Sequence, residues 1–404
     1  MIFDAARRRA NNNPFQRDKP TLLPAAPPIL DLSHHDLSGL TNGQLLAYCR
    51  LIPWLNAPNG QQVFRLFGAA GTGKTHLVGR ILKLFPSLRI ALGTLSGKAA
   101  LVLTRATGMP ARTLHSMLYT LEGEDGDGEL LFRDNPDFHI ANVDLIVVDE
   151  ASMVRADMAR SILALGKPIL VVADPFQPAP IGGEAGFMNG TVDAELSDIV
   201  RQAEHSPILE LAHDVRVGRE LKLGRYGSSE IIGGISLTAD HAQAAEQILV
   251  GRRETMHRFN ARIREMRGAS SYAPEVGDKL ICLRNKPEKG LFNGSMWRIV
   301  EAGAVKERWG ITRFPLTMES LDFPEKAAQR FDVDARFFLP RDPDKAVFRG
   351  DAAAFSYGYA ITVHKAQGSQ WDDVLVIDEA FDDHAKWRYT AITRAAKTIR
   401  IVLP

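Results

Sequence analysis

The run Gly68-Ala-Ala-Gly-Thr-Gly-Lys74-Thr75 constrains this chain more than any other part of it. It satisfies the pattern G-x-x-x-x-G-K-[ST], and both flanks suit it. Val63-Phe-Arg-Leu-Phe67 before it predicts a short buried strand, and from His76 to Phe85 the apolar residues Leu77, Ile81, Leu82 and Phe85 recur at helical spacing. Strand, glycine loop and helix in succession make a triphosphate site. The glycines let backbone N–H groups curl around phosphate oxygens with no Cβ in the way. The start of the helix adds partial positive charge. Lys74 then reaches the β and γ phosphates, and Thr75 ligates Mg²⁺. The expected nucleotide-binding set is Gly68, Ala69, Ala70, Gly71, Thr72, Gly73, Lys74, Thr75 and His76.

A chain of 404 residues with 45% hydrophobic content predicts two or three domains with sizeable cores. The net charge of +1 excludes a global basic field, so any polyanion site must be a local cleft. Two cysteines, Cys49 and Cys282, exclude a disulfide framework and a four-cysteine zinc site, and fit a reducing cytosol. No apolar run approaches a membrane span. The basic start, Met1 to Arg9, has no apolar core after it and so does not read as a secretory signal. A cytoplasmic location with no membrane partner is the expectation.

Residues 1–36 are rich in Pro, Asn and Arg and predict an extended segment, with Arg7-Arg8-Arg9 either a polyanion contact or a solvated tail. A helix is expected from Leu40 to Leu55, strands at Ile90 to Thr94, Val143 to Val148 and Lys167 to Ala173, and helices from Gly97 to Ala106 and starting at Thr113 to Leu121. The acidic, glycine-rich run Glu122 to Glu129 followed by Leu130-Leu-Phe132 predicts either a small hairpin inserted at about 120–140 or a solvated loop. Strands alternating with helices imply a doubly wound α/β domain over 37–200. The pattern restarts over 201–404, interrupted at about 280–352 by strand-like runs, such as Lys279 to Leu283 and Met296 to Val300, around a turn at Asn293-Gly294. This predicts a small all-β insert. Strands return at Phe355 to Val363, Asp373 to Ile377 and Thr398 to Leu403.

Asp149-Glu150 closes the strand ending at Val148, where α/β sheets place ligands. The aspartate suits Mg²⁺ opposite Thr75, and the glutamate suits polarising the attacking water. Gln177, just past the next strand, is placed to hydrogen-bond a γ-phosphate or that water. Arg201 and Arg394 are candidates to stabilise developing charge on the phosphoryl group. The turn after the strand at 358–363 offers Thr362, His364, Lys365, Gln367, Gly368 and Ser369, donors suited to the phosphates of a second ligand.

Taken in order, these segments resemble superfamily 1 helicases of the 5′→3′ RecD-like and phage Dda-like branch. The resemblance runs from about Leu40 to the last strand. The glycine loop corresponds to motif I, Asp149-Glu150-Ala-Ser152 to motif II, Arg201-Gln202…Ser206-Pro207-Ile208 to motif IV, Thr362-Val-His-Lys-Ala-Gln-Gly368 to motif V and Tyr389-Thr-Ala-Ile-Thr-Arg394-Ala to motif VI. The resemblance implies two RecA-like lobes, with a hairpin insert in the first and an SH3-like insert in the second. It implies ATP and Mg²⁺ as cofactors, with Lys74, Glu150, Gln177, Arg201 and Arg394 catalytic and Thr75 and Asp149 on the metal. It gives Gln44 the reading of adenine and adds Gln367 and Gly368 to the nucleotide set. Thr94-Leu-Ser96-Gly97-Lys98-Ala-Ala100 resembles the family's T-P-T-G-K-A-A segment on the DNA backbone. His115, Asn293, Thr362, His364 and Lys365 complete the implied DNA contacts.

The implied activity is ATP-driven 5′→3′ movement on single-stranded DNA, with unwinding of tailed duplex, by a monomer in a prokaryotic or phage-infected cell. Repair, recombination and replication are all compatible. An RNA-directed helicase, or a single-strand translocase that does not unwind, are the alternatives. The sequence departs from the family in three places. Motif III reads Ala173-Asp-Pro-Phe-Gln177-Pro-Ala-Pro180 rather than G-D-x-x-Q-L-P-P. Leu95 and Ser96 replace the usual proline and threonine. The acidic hairpin is short for a strand-separating wedge.

Overall fold

The computed structural model describes residues 36–404, apart from residue 59 and the segments 125–129, 136–137, 181–182, 199–205, 270–271, 287–288, 309–310, 339–351 and 381–382. The N-terminal extension and Arg201 fall outside the described residues.

The first lobe opens with helix α1 (Asn42–Asn56), started by a capping box in which the Thr41 hydroxyl accepts from Gln44 N–H and the Gln44 amide oxygen accepts from Thr41 N–H. In chain order follow β1 (Val63–Gly68), α2 (Lys74–Leu82), β2 (Ile90–Thr94), α3 (Gly97–Thr107), β3 (Ala111–Thr113) and α4 (Leu114–Leu118). Next come β4 (Tyr119–Glu124), β5 (Leu130–Asp134), β6 (Leu145–Val148), α5 (Ala156–Ala164), β7 (Ile169–Ala173) and β8 (Ala194–Leu196). The strands β3-β2-β6-β7-β1-β8 lie side by side in one sheet, every neighbouring pair parallel. Both faces are covered. Leu145 and Val147 pack with Leu66 and Leu77 on one side, while Ile146 and Val148 pack with Leu114 and Ile162 on the other. That explains why these strands read as unbroken apolar runs. The order sets β7 between β1 and β6, so the ends carrying the glycine loop, Asp174 and Asp149 are adjacent. The hairpin is real: β4 and β5 pair antiparallel as a two-stranded ribbon. The helix expected at 113–121 is confined to α4, because the chain turns into β4 at Tyr119.

Helix α6 (Pro207–Arg216) begins the second lobe, followed by β9 (Gly224–Tyr226), β10 (Ser229–Gly233), α7 (Ala239–Ala244), β11 (Gln247–Val250) and α8 (Arg253–Met266). Then come β12 (Lys279–Cys282), β13 (Met296–Ala302), β14 (Lys306–Arg308), β15 (Ile311–Ser320), β16 (Gln329–Asp334), β17 (Phe355–Tyr357), β18 (Ala360–Thr362), β19 (Trp371–Ile377), α9 (His384–Ile392) and β20 (Ala395–Leu403). Six of these strands form the sheet β18-β11-β19-β20-β10-β9, parallel except at the β9–β10 edge. The insert is a separate antiparallel sheet, β14-β15-β13-β12-β17 with β16 on β15, around its own core of Leu280, Trp297, Leu316, Phe331 and Phe355.

The single strand expected at 355–363 is two. β17 closes the insert, and β18 belongs to the lobe sheet. Gly358 sits at the break, where a Cβ would come within 3.0 Å of the Leu280 backbone. The apolar run is continuous because both halves are buried, each in a different sheet.

Candidate active site

Backbone geometry builds the loop between β1 and α2. Gly71 (φ 79°) and Gly73 (φ 74°) adopt left-handed conformations that favour glycine, and a Cβ on Gly71 would also meet Leu209 of α6 at 3.0 Å. The Lys74 ammonium lies across the loop, donating to the carbonyls of Gly68 at 2.7 Å and Ala69 at 2.9 Å. His76 is exposed on the first turn of α2. Gln44 is buried beneath the loop. Its Nε2 donates to Thr72 O at 2.9 Å, and its Oε1 is occupied by Thr41 N–H. One end of this amide therefore braces the loop and the other closes the capping box of α1.

The end of β6 supplies the carboxylates. Asp149 Oδ2 accepts from the Thr75 hydroxyl at 3.3 Å, and Asp149 Oδ1 accepts from Glu150 N–H at 2.9 Å. Glu150, at φ 54°, has the only positive φ outside glycine among the described residues. A left-handed glutamate is strained, and such strain collects at functional sites. Its conformation turns the carboxylate to accept from Gln177 Nε2 at 3.0 Å. Burial, and then the Glu150 charge, push the Asp149 carboxyl up to about 6, with Lys74 and Thr75 opposing. A buried, crowded carboxylate facing a hydroxyl is a donor set suited to a hard divalent cation. Thr75 and Asp149 would hold Mg²⁺, whose charge relieves that crowding and would neutralise phosphate oxygens.

The second lobe meets this site through α9. Ala70 N–H donates to the Tyr389 hydroxyl at 2.7 Å, and that hydroxyl donates to Asp174 Oδ2 at 2.8 Å. The Tyr389 ring lies 5.8 Å from Phe176, whose face carries the Arg216 guanidinium at 4.9 Å. Burial, and then Asp174, push the Tyr389 phenol up, so the hydroxyl keeps its proton. Tyr389 escaped the sequence reading although it lies within the motif VI run, because a tyrosine signals core packing until its partner is known. Arg394, in the same run, is buried in its own lobe: it donates to Thr390 O at 3.1 Å, Ser369 O at 3.2 Å and Thr393 Oγ1 at 3.1 Å.

On the far side of Glu150 the lobes enclose two adjoining cavities of about 630 and 240 Å³. Both are lined by Leu95, Met153, His364, Lys365 and Gln367; the larger adds His115, and the smaller adds Asn293 and Glu150. Burial pulls the His115 imidazole below its ordinary value. Thr362 opens the turn leading to His364, its hydroxyl accepting from Lys365 N–H at 3.4 Å. Gly368 (φ 71°) packs on Ala99, where a Cβ would lie 3.0 Å away. The start of α3 is already engaged. Ser96 caps the helix through Ala99 N–H, Gly97 is covered by Phe292 of the insert, and Lys98 pairs with Asp322 at 2.8 Å over the Trp371 ring. Here Lys98 joins lobe to insert, and its charge is neutralised by Asp322. Among the described residues, no helix is long and apolar enough to cross a membrane.

Fold and site together define a two-lobe nucleoside-triphosphatase with a glycine-loop phosphate site. The AAA domain family matches residues 55–237, and the UvrD-like helicase C-terminal domain matches residues 357–402. The chain is 29% identical over 397 residues to the RecBCD enzyme subunit RecD of Mycolicibacterium smegmatis, covering 83% of this chain and 67% of that one. It is 27% identical over 368 residues to the ATP-dependent RecD2 DNA helicase of Deinococcus radiodurans, covering 83% of this chain and 46% of the relative. The chain thus spans about two thirds of the one relative and less than half of the other. Bacteroides Pif1 bound to single-stranded DNA shares the fold, with TM-score 0.55 and 15% identity over 89% of this chain and 92% of that one. In sequence the chain is similar to RecD-like helicases, and in fold to Pif1 helicases.

Proposed function

We propose that this chain is an ATP-dependent DNA helicase that moves 5′→3′ on single-stranded DNA and opens tailed duplex. One observation carries the reading. Lys74, Thr75, Asp149, Glu150 and Gln177 converge at three adjacent strand ends of the first lobe, and a residue of the second lobe, Tyr389, reaches the same loop. Glu150, oriented by Gln177, takes the proton of the attacking water. Lys74 steadies the transferring phosphate, and Thr75 and Asp149 would hold Mg²⁺. Arg201 and Arg394 face the developing charge when the lobes close. The strand runs over the cavities beside Glu150, with His115, Asn293, Thr362, His364 and Lys365 on its phosphates and aromatic faces beneath its bases. Ser96, Gly97 and Lys98 border that path as the joint between lobe and insert. ATP drives movement because it favours the closed arrangement of the lobes more than ADP does.

The two-stranded β4–β5 ribbon favours a second reading, a translocase that moves without separating strands. Both are tested by ATP turnover with and without single-stranded DNA or RNA of equal length, followed by strand displacement on 5′-tailed and 3′-tailed duplexes. The helicase reading expects stimulation by DNA and displacement only from a 5′ tail. Stimulation without displacement selects the translocase. Stimulation by RNA alone, or none, overturns both.

A further inference from the structure

Helix α9 reaches Glu150 through a series of hydrogen bonds and one tight backbone turn. Ala70 N–H donates to the Tyr389 hydroxyl at 2.7 Å, and this hydroxyl donates to Asp174 Oδ2 at 2.8 Å. The other oxygen of Asp174 accepts from Phe176 N–H at 3.0 Å, and Gln177 N–H donates to Asp174 O at 3.2 Å. The Asp174 carboxylate thus shapes the tight turn that carries Gln177. Gln177 Nε2 in turn holds Glu150 Oε2 at 3.0 Å. Glu150 sits at φ 54°, a conformation that its own backbone does not favour and that its surroundings must hold.

We propose that Tyr389 is a positioning residue for hydrolysis: its hydroxyl, delivered from the second lobe, fixes Asp174 and through Gln177 sets the Glu150 carboxylate, so that the base is aligned only when the lobes are docked. This deepens the reading given above and rests on it. Alternative uses of Tyr389 are less economical. A residue serving only the core needs its ring, which packs on Phe176, but not a hydroxyl shared between two elements of the other lobe. The hydroxyl leaves no polar atom of Asp174 facing α9 unpaired, and a buried carboxylate without its donors is costly. The chain also joins the nucleotide loop to the base at a residue, Ala70, whose amide borders the phosphate cradle. Entry of a phosphate and alignment of the base are thereby mechanically connected.

Tyr389→Phe keeps the ring and removes both hydrogen bonds. The expected result is a fall of about tenfold in kcat for strand-stimulated ATP turnover with little change in KM. Asp174→Asn is expected to lower kcat similarly, and the double variant to be no worse than the poorer single one, because both break the same chain. Hydrogen exchange gives a readout that does not need turnover. In ligand-free protein, the Ala70 amide is protected in the wild type and exposed in Tyr389→Phe, with the melting temperature lowered by no more than a few degrees and the fold retained. An unprotected Ala70 amide in the wild type, wild-type kcat in Tyr389→Phe, a loss confined to KM, or multiplicative losses in the double variant would each overturn the proposal. Absence of ATP turnover in the wild type alongside Tyr389-dependent protection of Ala70 would instead remove the functional reading and the catalytic role with it, leaving only the lobe contact.

Discussion

The two walls of the nucleotide cleft are built on different terms. On the first lobe, the groups from β1, β6 and β7 bond chiefly to one another: Thr75 to Asp149, Gln177 to Glu150, Lys74 to the loop carbonyls. On the second lobe, the polar groups bond at home. Arg394 is held by Thr390, Ser369 and Thr393, while Tyr389 crosses to the other side through its hydroxyl and Arg216 through the face of Phe176. A wall assembled within one rigid sheet can bind a triphosphate by itself. A wall whose Arg394 is held in its own lobe, and which reaches across the gap through the Tyr389 hydroxyl and the Arg216 guanidinium, contributes according to how the lobes dock. Binding and turnover should therefore separate by lobe.

That division can be broken in four ways, from the largest expected effect to the smallest. Lys74→Ala should cut strand-stimulated ATP turnover by about a thousandfold with the circular dichroism spectrum unchanged; residual stimulated turnover near wild type would remove Lys74 from the site. Glu150→Gln should slow hydrolysis by about a hundredfold while leaving equilibrium ATP binding within about threefold, since it removes a base and not a phosphate ligand. Equal loss of binding and turnover would make Glu150 structural.

Lys98→Ala should destabilise the chain by about 1–2 kcal/mol, because it leaves the largely covered Asp322 carboxylate without its ion pair and removes the ammonium from the Trp371 ring. Chemical denaturation checks this, and a cost indistinguishable from zero would return Lys98 to a solvated role. The fourth concerns charge on the first wall. The folded Asp149 carboxyl titrates at about 6, above its ordinary value of 3.8, so its contribution to stability is greatest at low pH and is lost as pH rises through about 6. Asp149→Asn should then raise the melting temperature of metal-free protein by a few degrees at pH 8 and leave it nearly unchanged at pH 3, below the ordinary value of 3.8. A rise of equal size at both pH values would point to packing instead.

Much of the first wall was legible because its signals are local. The strand at Ile90 to Thr94 was bounded correctly, and the carboxylate pair lies one strand away from the glycine loop, because buried parallel strands are short apolar runs that end in polar residues. Three things escaped because they depend on distant partners. The run from Phe355 to Val363 gives no hint that Gly358 divides it between two sheets, since both halves are equally buried. Lys98 carries a motif's lysine, yet Asp322, far along the chain, decides where its charge goes. Tyr389 looks like core until Ala70 is found against its hydroxyl. The helix predicted through Leu121 failed for a local reason: Tyr119 and Thr120 already pair across the hairpin.

On the proposed mechanism, bound triphosphate closes the two lobes and its hydrolysis releases them. Leu84 on the first lobe and Leu223 on the second are exposed and suit paired fluorophores in a Cys49→Ser background, with Leu84→Cys and Leu223→Cys. Energy transfer between them, measured on single-stranded DNA, should report a shift in separation with a non-hydrolysable ATP analogue that reverses with ADP. The same transfer efficiency in both nucleotide states would contradict the account.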